Sequence, residues 1–163
     1  MVDLLRQPLT AADGSALLAI LGDPEVGPWH RPRGSDGPFS TEECDAFARR
    51  HAAHWARFDF GLWLVRLPSG APLAWGGAHH TEVGGRAEIE LAWSVASSHW
   101  GQGIAPAIAG AGLELTTGRG LTGVVSFTRT DNTRSIRVME KAGLRFEREL
   151  EHGGHPSVLY RLP

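Results

Sequence analysis

The segment Trp93-Ser-Val-Ala-Ser-Ser-His-Trp-Gly-Gln-Gly-Ile-Ala-Pro106 has the pattern of a strand, a glycine-rich turn and the first turn of a helix. The first amide groups of a helix lack intrahelical acceptors and carry a partial positive charge. Gly101 and Gly103 have no Cβ, so an anion can approach the backbone closely at this turn. The segment therefore predicts a binding site for a compound that carries phosphate.

Length and composition predict a single domain that spans residues 1–163. The chain has 163 residues, of which 42% are hydrophobic, and this is enough to form a core. No apolar run approaches the roughly 20 residues that cross a bilayer, and the N-terminus lacks a signal-peptide pattern. Because Cys44 is the single cysteine, no internal disulfide can form, and we expect a cytoplasmic protein. The net charge of −2 gives no indication of nucleic-acid or membrane partners.

The order of predicted elements indicates an α/β fold with a mixed sheet. We expect helices to begin near Thr10, at the capping box Ser40-Thr-Glu-Glu43, after Gly103 and near Asn132. A long irregular loop covers 22–39. The predicted strands cover 3–9, 61–66, 72–78, 87–95, 122–127, 146–151 and 158–162.

The strand over 87–95 alternates between apolar and polar residues. Since neighbouring side chains on a strand point to opposite faces, its residues divide into two sets. One face carries Ile89, Leu91, Trp93 and Val95, and the other carries Glu88, Glu90, Ala92 and Ser94.

The glycine turn fits other phosphate motifs less well. A dinucleotide fingerprint has a third glycine where this chain has Pro106, and no acidic residue follows at the expected distance. A P-loop would require Gly-Lys-Ser/Thr, which is absent from the sequence. A Gly-x-Gly before a helix is also often a plain tight turn. A nicotinamide-dependent enzyme therefore ranks last among the hypotheses.

Three segments occur in one order at fitting distances: Glu90-Leu-Ala-Trp93, Trp100-Gly-Gln-Gly-Ile-Ala105 and Asp131-Asn-Thr-Arg-Ser-Ile-Arg-Val-Met-Glu-Lys-Ala-Gly-Leu144. This arrangement resembles the GNAT superfamily of acyl-CoA-dependent N-acyltransferases, most closely its Rim-type branch of ribosomal-protein N-terminal acetyltransferases. The resemblance covers most of the chain. Gly103 and Ala105 match the small positions of the family's pyrophosphate motif, whereas Trp100 replaces its leading Arg or Gln.

The resemblance implies a mostly antiparallel sheet of about seven strands, flanked by about four helices, with two neighbouring strands splayed apart around the pantetheine arm of acetyl-CoA. Backbone groups on one splayed strand would contact this arm, the glycine turn would hold the pyrophosphate, and Asn132 would hydrogen-bond the pantetheine or cap its helix. The implied cofactor-binding residues are Trp93, Ser94, Val95, Trp100, Gly101, Gln102, Gly103, Ile104, Ala105 and Asn132.

The transfer requires a neutral amine, whereas most amines are protonated at pH 7. Glu90 occupies a position where several superfamily members carry a glutamate, and it is the candidate base, with Glu88 in reserve. Both carboxylates could instead lie on a solvent-exposed strand face without a catalytic role. Ser135 is the candidate hydrogen-bond donor to the leaving sulfur, or a simple helix-terminus serine. A backbone N–H of Ser94 or Val95 would stabilise the developing oxyanion.

The histidines do not show the spacing of a metal site. His51 and His54 lie three residues apart on a helix, and the adjacent His79 and His80 point to opposite faces of a strand. We therefore expect no metal, and one of the two strand histidines is expected to line the acceptor pocket.

Together these observations predict a cytoplasmic N-acetyltransferase. It would act by direct attack of a primary amine, either a protein N-terminus or a small amine, in a ternary complex with acetyl-CoA. A homodimer is compatible with the family. The alternative function is a non-catalytic acyl-CoA sensor.

Overall fold

The computed structural model describes residues 4–35 and 37–163, and in this part of the chain seven strands and four α-helices are present. The strands are β1 (Leu5–Pro8), β2 (Leu62–Arg66), β3 (Pro72–Val83), β4 (Arg86–Val95), β5 (Val124–Arg129), β6 (Arg145–His152) and β7 (His155–Arg161). The helices are α1 (Gly14–Leu21), α2 (Thr41–Phe58), α3 (Ile104–Gly118) and α4 (Thr133–Lys141), and short 3₁₀ helices cover Gly27–His30 and Ser97–His99.

The strands form one sheet in the order β1-β2-β3-β4-β5-β7-β6. All neighbours are antiparallel except β4 and β5, which run parallel. These two strands pair at Ile89–Val124 and Glu90–Val125 and separate beyond this point. The predicted mostly antiparallel sheet with four flanking helices is therefore confirmed, and β4 and β5 form the splayed pair.

The helices cover both faces of the sheet. Side chains of α1 pack with Trp75, Leu62 and Leu64 on one face. On the other face, Ile104 and Ile108 of α3 pack against side chains of β2, β3 and β4, and α4 joins a second cluster there. Because paired residues on neighbouring strands point to the same side, Glu90 lies on the face that α1 and α2 cover.

Two predicted helix starts have different outcomes. Thr10 does not cap α1; its own N–H donates to Asp13 Oδ2 at 2.8 Å, and the helix begins at Gly14. Ser40 does cap α2, since its Oγ accepts the Glu43 N–H at 3.1 Å. The reciprocal hydrogen bond of a capping box, from the Ser40 N–H to the Glu43 carboxylate, is not formed, because this carboxylate pairs with Arg31 instead. Asp3, in the predicted first strand, lies outside the described residues.

The predicted loop over 22–39 is held across the sheet by specific contacts, in the part that the structure describes. The Ser97 hydroxyl donates to Asp23, and this hydrogen bond lowers the pKa of the Asp23 carboxyl. The Arg33 N–H donates to the Gly153 carbonyl at 2.7 Å, so the loop also reaches the turn between β6 and β7. Through these contacts the loop covers the place where β4 and β5 separate.

Within 4–35 and 37–163, no helix combines the length and the apolar character that crossing a bilayer requires.

Candidate active site

A cleft of about 1320 Å³ lies where β4 and β5 separate, between α2, the loop over 22–39 and the first turns of α3 and α4. It brings together nearly all the residues predicted to form the site. Those that line it are Glu90, Trp93, Ser94, Val95, Trp100, Gly101, Gly103, Ile104, Ala105, Asn132 and Ser135. Gln102 differs, since it is exposed and is not among the residues that line the cleft.

The backbone of β4 alternates between its two neighbouring strands. The Ile89 N–H donates to the Gly123 carbonyl at 3.1 Å, on the side of β5, whereas the Ala96 N–H donates to the Leu73 carbonyl at 2.9 Å, on the side of β3. Since N–H and C=O directions alternate along a strand, the backbone groups of residues 91, 93 and 95 point toward β5. Beyond the last β4–β5 pair they point into the gap.

Two of these gap-facing groups have partners in the protein. The Leu91 carbonyl accepts the buried Ser126 hydroxyl at 2.8 Å, at the point where the strands separate. The Val95 carbonyl accepts the Trp100 indole N–H at 2.9 Å. The N–H and C=O of Trp93 and the N–H of Val95 therefore remain directed at the gap, in the arrangement that an amide-containing ligand can pair with.

Ser94 departs from the expectation of a backbone contact. Its position in the alternation directs its N–H and C=O toward β3. Its side chain instead points to the cleft, where its hydroxyl lies 3.1 Å from His30 Nε2. Ser94 therefore reaches the cleft through its hydroxyl.

The glycine turn leaves the backbone open, as the sequence indicated. Its backbone dihedral angles are a second reason for the glycines. Gly101 and Gly103 have φ values of +77° and +79°, in the left-handed region that favours glycine. A Cβ at either position would meet no atom within 4 Å, so the space beside the backbone is open. Gly103 is the N-cap of α3, and the amides that follow it are directed outward at the helix start.

Cations line the same end of the cleft. Arg134, Arg137 and Lys141 project from one face of α4 and all line the cleft. The Arg134 guanidinium lies over the Trp100 ring, 3.7 Å from its centroid. Trp100, which replaces the Arg or Gln of the family motif, thus holds an arginine beside the turn.

Asn132 and Ser135 form a hydrogen-bonded group at the start of α4. Asn132 Oδ1 accepts the Ser135 N–H at 3.4 Å and its Nδ2 donates to Thr128 Oγ1 at 2.9 Å, so Asn132 caps the helix. The Trp93 indole N–H donates to Ser135 Oγ at 3.2 Å. Because this bond uses an acceptor position, the Ser135 O–H can still donate into the cleft. Trp93 is half-buried and lines the cleft.

The two candidate glutamates have separate environments. Glu90 lines the cleft, and its Oε2 lies 2.9 Å from His79 Nε2. Glu88 is buried and accepts two hydrogen bonds from Arg161, at 2.7 and 3.1 Å, which hold the pKa of its carboxyl below its ordinary value. Glu88 is not among the residues lining the cleft, so the structure favours Glu90 alone as the candidate base.

Three further histidines surround His79. The His51 ring is 5.1 Å from the His79 ring, edge to face, and burial lowers the pKa of His51 to about 3. His54 donates from Nδ1 to the Phe60 carbonyl at 2.8 Å, and its Nε2 accepts the His80 N–H at 3.1 Å. Burial also lowers the pKa values of His54 and His80. The wall beside Glu90 is therefore made mainly of neutral imidazoles.

The role of His79 beside Glu90 was not predicted from the sequence, although a signal was present. Counting outward from the Gly84–Gly85 turn of the β3–β4 hairpin places His79 directly opposite Glu90, as the structure does. The predicted strand ends at Ala78, whereas β3 extends to Val83 and includes His79. Both His79 and His80 line the cleft. In residues 4–35 and 37–163, no group of three potential metal ligands could hold an ion.

Comparison with known proteins agrees with this geometry. The family model described as the acetyltransferase (GNAT) domain matches residues 4–145. A GNAT-family acetyltransferase from Bordetella pertussis is 22% identical, with a TM-score of 0.80 over 98% of this chain and 96% of that one. A GNAT-family acetyltransferase from Bacillus anthracis is 21% identical, with a TM-score of 0.74 over 98% and 93%.

A third structure with the same fold contains ligands. AAC(6′)-Ib, in complex with paromomycin and acetyl-CoA, is 16% identical, with a TM-score of 0.75 over 98% of this chain and 92% of that one. At these identities the structures support the fold, whereas the family model covers most of the chain. The chain therefore belongs to the GNAT acetyltransferase domain family.

Proposed function

We propose that this protein transfers the acetyl group of acetyl-CoA to a primary amine within a ternary complex. The observation that carries the proposal is the gap between β4 and β5, which ends beside Glu90 and opens at the glycine turn. A long, amide-containing ligand with a phosphate end matches both ends of this gap. The resemblance associates a Trp in place of the motif's leading Arg or Gln, as at Trp100, and a Ser at the position of Ser135 with the Rim-type branch, and these residues support a Rim-type relationship within the family.

The residues present fit coenzyme A along its length. The amides after Gly103 and the cations of α4 would bind the pyrophosphate, since a helix N-terminus and arginine side chains both favour phosphate. The C=O of Trp93 and the N–H of Val95 would pair with the pantetheine amides. The acetyl thioester would then lie at the narrow end of the gap, near Leu91 and Glu90.

Glu90 would accept a proton from the incoming ammonium group, with His79 holding the carboxylate at 2.9 Å. The neutral nitrogen then attacks the thioester carbonyl carbon, the C–N bond forms and the C–S bond breaks. The second amine proton is released as the amide forms, and the leaving thiolate is protonated to the free thiol. One proton per turnover passes from Glu90 to solvent.

Two groups are placed to stabilise charge during this transfer. The Leu91 N–H is part of the β4–β5 ladder, so the first free N–H that points into the gap is that of Trp93, closer to Glu90 than the Val95 N–H considered from the sequence. We assign the developing oxyanion to the Trp93 N–H. The Ser135 hydroxyl would donate a hydrogen bond to the sulfur as it leaves.

The test combines binding and turnover. Calorimetry should detect coenzyme A binding to the wild type and to Glu90→Gln with similar affinity. Thiol release from acetyl-CoA with a panel of amines should fall by about 100-fold or more in Glu90→Gln, as expected on loss of a general base. Glu114→Gln, at an exposed position of α3, is the matched control and should keep full activity.

The outcomes separate the candidate functions. Absence of coenzyme A binding would refute the proposal. Binding without thiol release for any amine would support the non-catalytic sensor. An unchanged pH–rate profile in Glu90→Gln would remove Glu90 from the mechanism.

A further inference from the structure

The part of the cleft beside Glu90, where the amine acceptor would bind, contains few carboxylates that could bind a cationic substrate. Among the described residues that line the cleft, the carboxylates are Glu43 and Glu90. Glu43 Oε2 pairs with Arg31 at 2.8 Å, and Glu90 pairs with His79 at 2.9 Å. Glu90 has to accept the proton of the reacting amine, so no unpaired carboxylate is left to bind additional ammonium groups.

Two arginines face the same space from α2. Arg50 and Arg57 are seven residues apart, so they lie on one helix face at a rise of about 10.5 Å, and both line the cleft. Their guanidinium groups lie over Phe47 and Phe58, at 5.3 and 4.9 Å from the ring centroids. In residues 4–35 and 37–163, neither arginine has a carboxylate within salt-bridge distance.

The positive charges of these arginines affect the pKa values of the histidines that lie beside Glu90. Burial and the neighbouring His79 are the main causes that lower the pKa of His51, and Arg50 lowers it further. Burial and His79 likewise lower the pKa of His80, and Arg57 adds to the effect. The two guanidinium groups therefore add positive charge to the space between α2 and Glu90.

These arginines are separate from the cations assigned to coenzyme A. Arg134, Arg137 and Lys141 belong to α4, at the end of the cleft near the glycine turn. Arg50 and Arg57 belong to α2, which covers the face of the sheet that carries Glu90. A ligand group bound by the α2 arginines would thus lie on the acceptor side.

We propose that Arg50 and Arg57 form an anion subsite, and that the acceptor is a primary amine that also carries a carboxylate or a phosphate. This inference rests on the proposed acetyl transfer. A single ammonium group would reach Glu90 while the anionic group of the same molecule binds a guanidinium. A polycationic acceptor, such as an aminoglycoside, would be repelled by the like charges on α2. Its additional ammonium groups would lose water of hydration without gaining a carboxylate partner.

The test uses paired acceptors that differ in one charge. Initial rates are measured for an amino acid and its amide, for phosphoethanolamine and ethanolamine, and for kanamycin. We expect kcat/KM to be at least 10-fold higher for the anionic member of one pair, and kanamycin to be the poorest acceptor. The pair with the larger ratio identifies carboxylate or phosphate as the recognised group.

Three variants assign the effect to the subsite. Arg50→Gln and Arg57→Gln should each lower kcat/KM for the anionic acceptor by about 10-fold and change it for the neutral partner by less than 2-fold. Arg49→Gln removes the same charge from a neighbouring exposed position that does not line the cleft, and it should change neither value.

Failure of the subsite is distinguishable from failure of the enzyme assignment. Equal losses for anionic and neutral acceptors, a loss in Arg49→Gln, or a preference for kanamycin would each overturn the subsite while acetyl transfer stands. Absence of turnover with every amine would overturn both, and coenzyme A binding by calorimetry would then show whether the cofactor assignment survives.

Discussion

Replacing His51 with phenylalanine should make the protein less sensitive to acid. His51 is only 4% exposed, and its ring packs 4.4 Å from Phe47 and 5.1 Å from His79. Its Nδ1 is buried without a hydrogen-bond partner in the described part of the chain. Phenylalanine keeps an aromatic ring in this position and removes the group that can be protonated.

The magnitude follows from the difference between the folded and unfolded pKa values. Burial lowers the pKa of His51 from 6.5 to about 3 in the folded state. Between these values the unfolded chain binds the proton and the folded chain does not, so the free energy of unfolding decreases as the pH falls. At 1.36 kcal/mol per pH unit, this group should cost about 2.5 kcal/mol between pH 7 and pH 4.5.

Urea unfolding at pH 7.0, 6.0, 5.0 and 4.5 measures this cost. The decrease in the free energy of unfolding should be about 2.5 kcal/mol smaller in His51→Phe than in the wild type. His152→Gln, at an exposed position, removes a histidine without removing a buried one and should follow the wild type. Parallel pH dependences of wild type and His51→Phe would refute the assignment of a buried neutral imidazole.

Three further substitutions test the site and its support. Ser135→Ala should lower kcat by about 10- to 100-fold, the range expected for a hydrogen bond to a charged group, with the calorimetric affinity for coenzyme A unchanged and activity recovered in Ser135→Thr. Gly103→Ala should destabilise the protein by about 1–2 kcal/mol because of its positive φ, and should weaken coenzyme A binding, whereas Gly118→Ala should do neither. Arg161→Met should cost about 3 kcal/mol at pH 7, because the buried Glu88 carboxylate loses both hydrogen bonds from Arg161 and keeps the more distant Arg86, at 3.7 Å. Since the arginine holds the pKa of Glu88 low, its stabilisation is present above the ordinary pKa near 4.5 and is lost below it, so urea unfolding should show a smaller difference at pH 4.

The parts of the site that depend on local pattern were predictable from the sequence. The alternation over 87–95 assigned Ile89 and Glu90 to opposite faces, and Gly103 marked the start of α3. Each of these features is determined by residues a few positions apart, because strand alternation and helix starts are local. The mostly antiparallel sheet and the presence of a splayed pair came from the family resemblance, and the order of the strands was not predicted.

The remaining features depend on contacts between distant segments. Alternation gives Glu88 and Glu90 the same face, and the two hydrogen bonds from Arg161, 73 residues further along the chain, are the main difference between them. The histidine wall requires α2 to pack against β3, which brings His51 to His79. Such pairings are set by tertiary packing, so no local pattern contains them.

The ladder between β4 and β5 is short, and this affects how strongly the two halves of the sheet are coupled. In residues 4–35 and 37–163, strands β1 to β4 and strands β5 to β7 are joined by the short ladder at Ile89–Val124 and Glu90–Val125, the hydrogen bond from Ser126 to Leu91 and the ion pair between Arg161 and Glu88. A ligand lying in the gap would act as an intervening strand that joins the two halves of the sheet. Its occupancy should therefore slow amide hydrogen exchange in the β5–β7 half as a whole, including residues that it never touches.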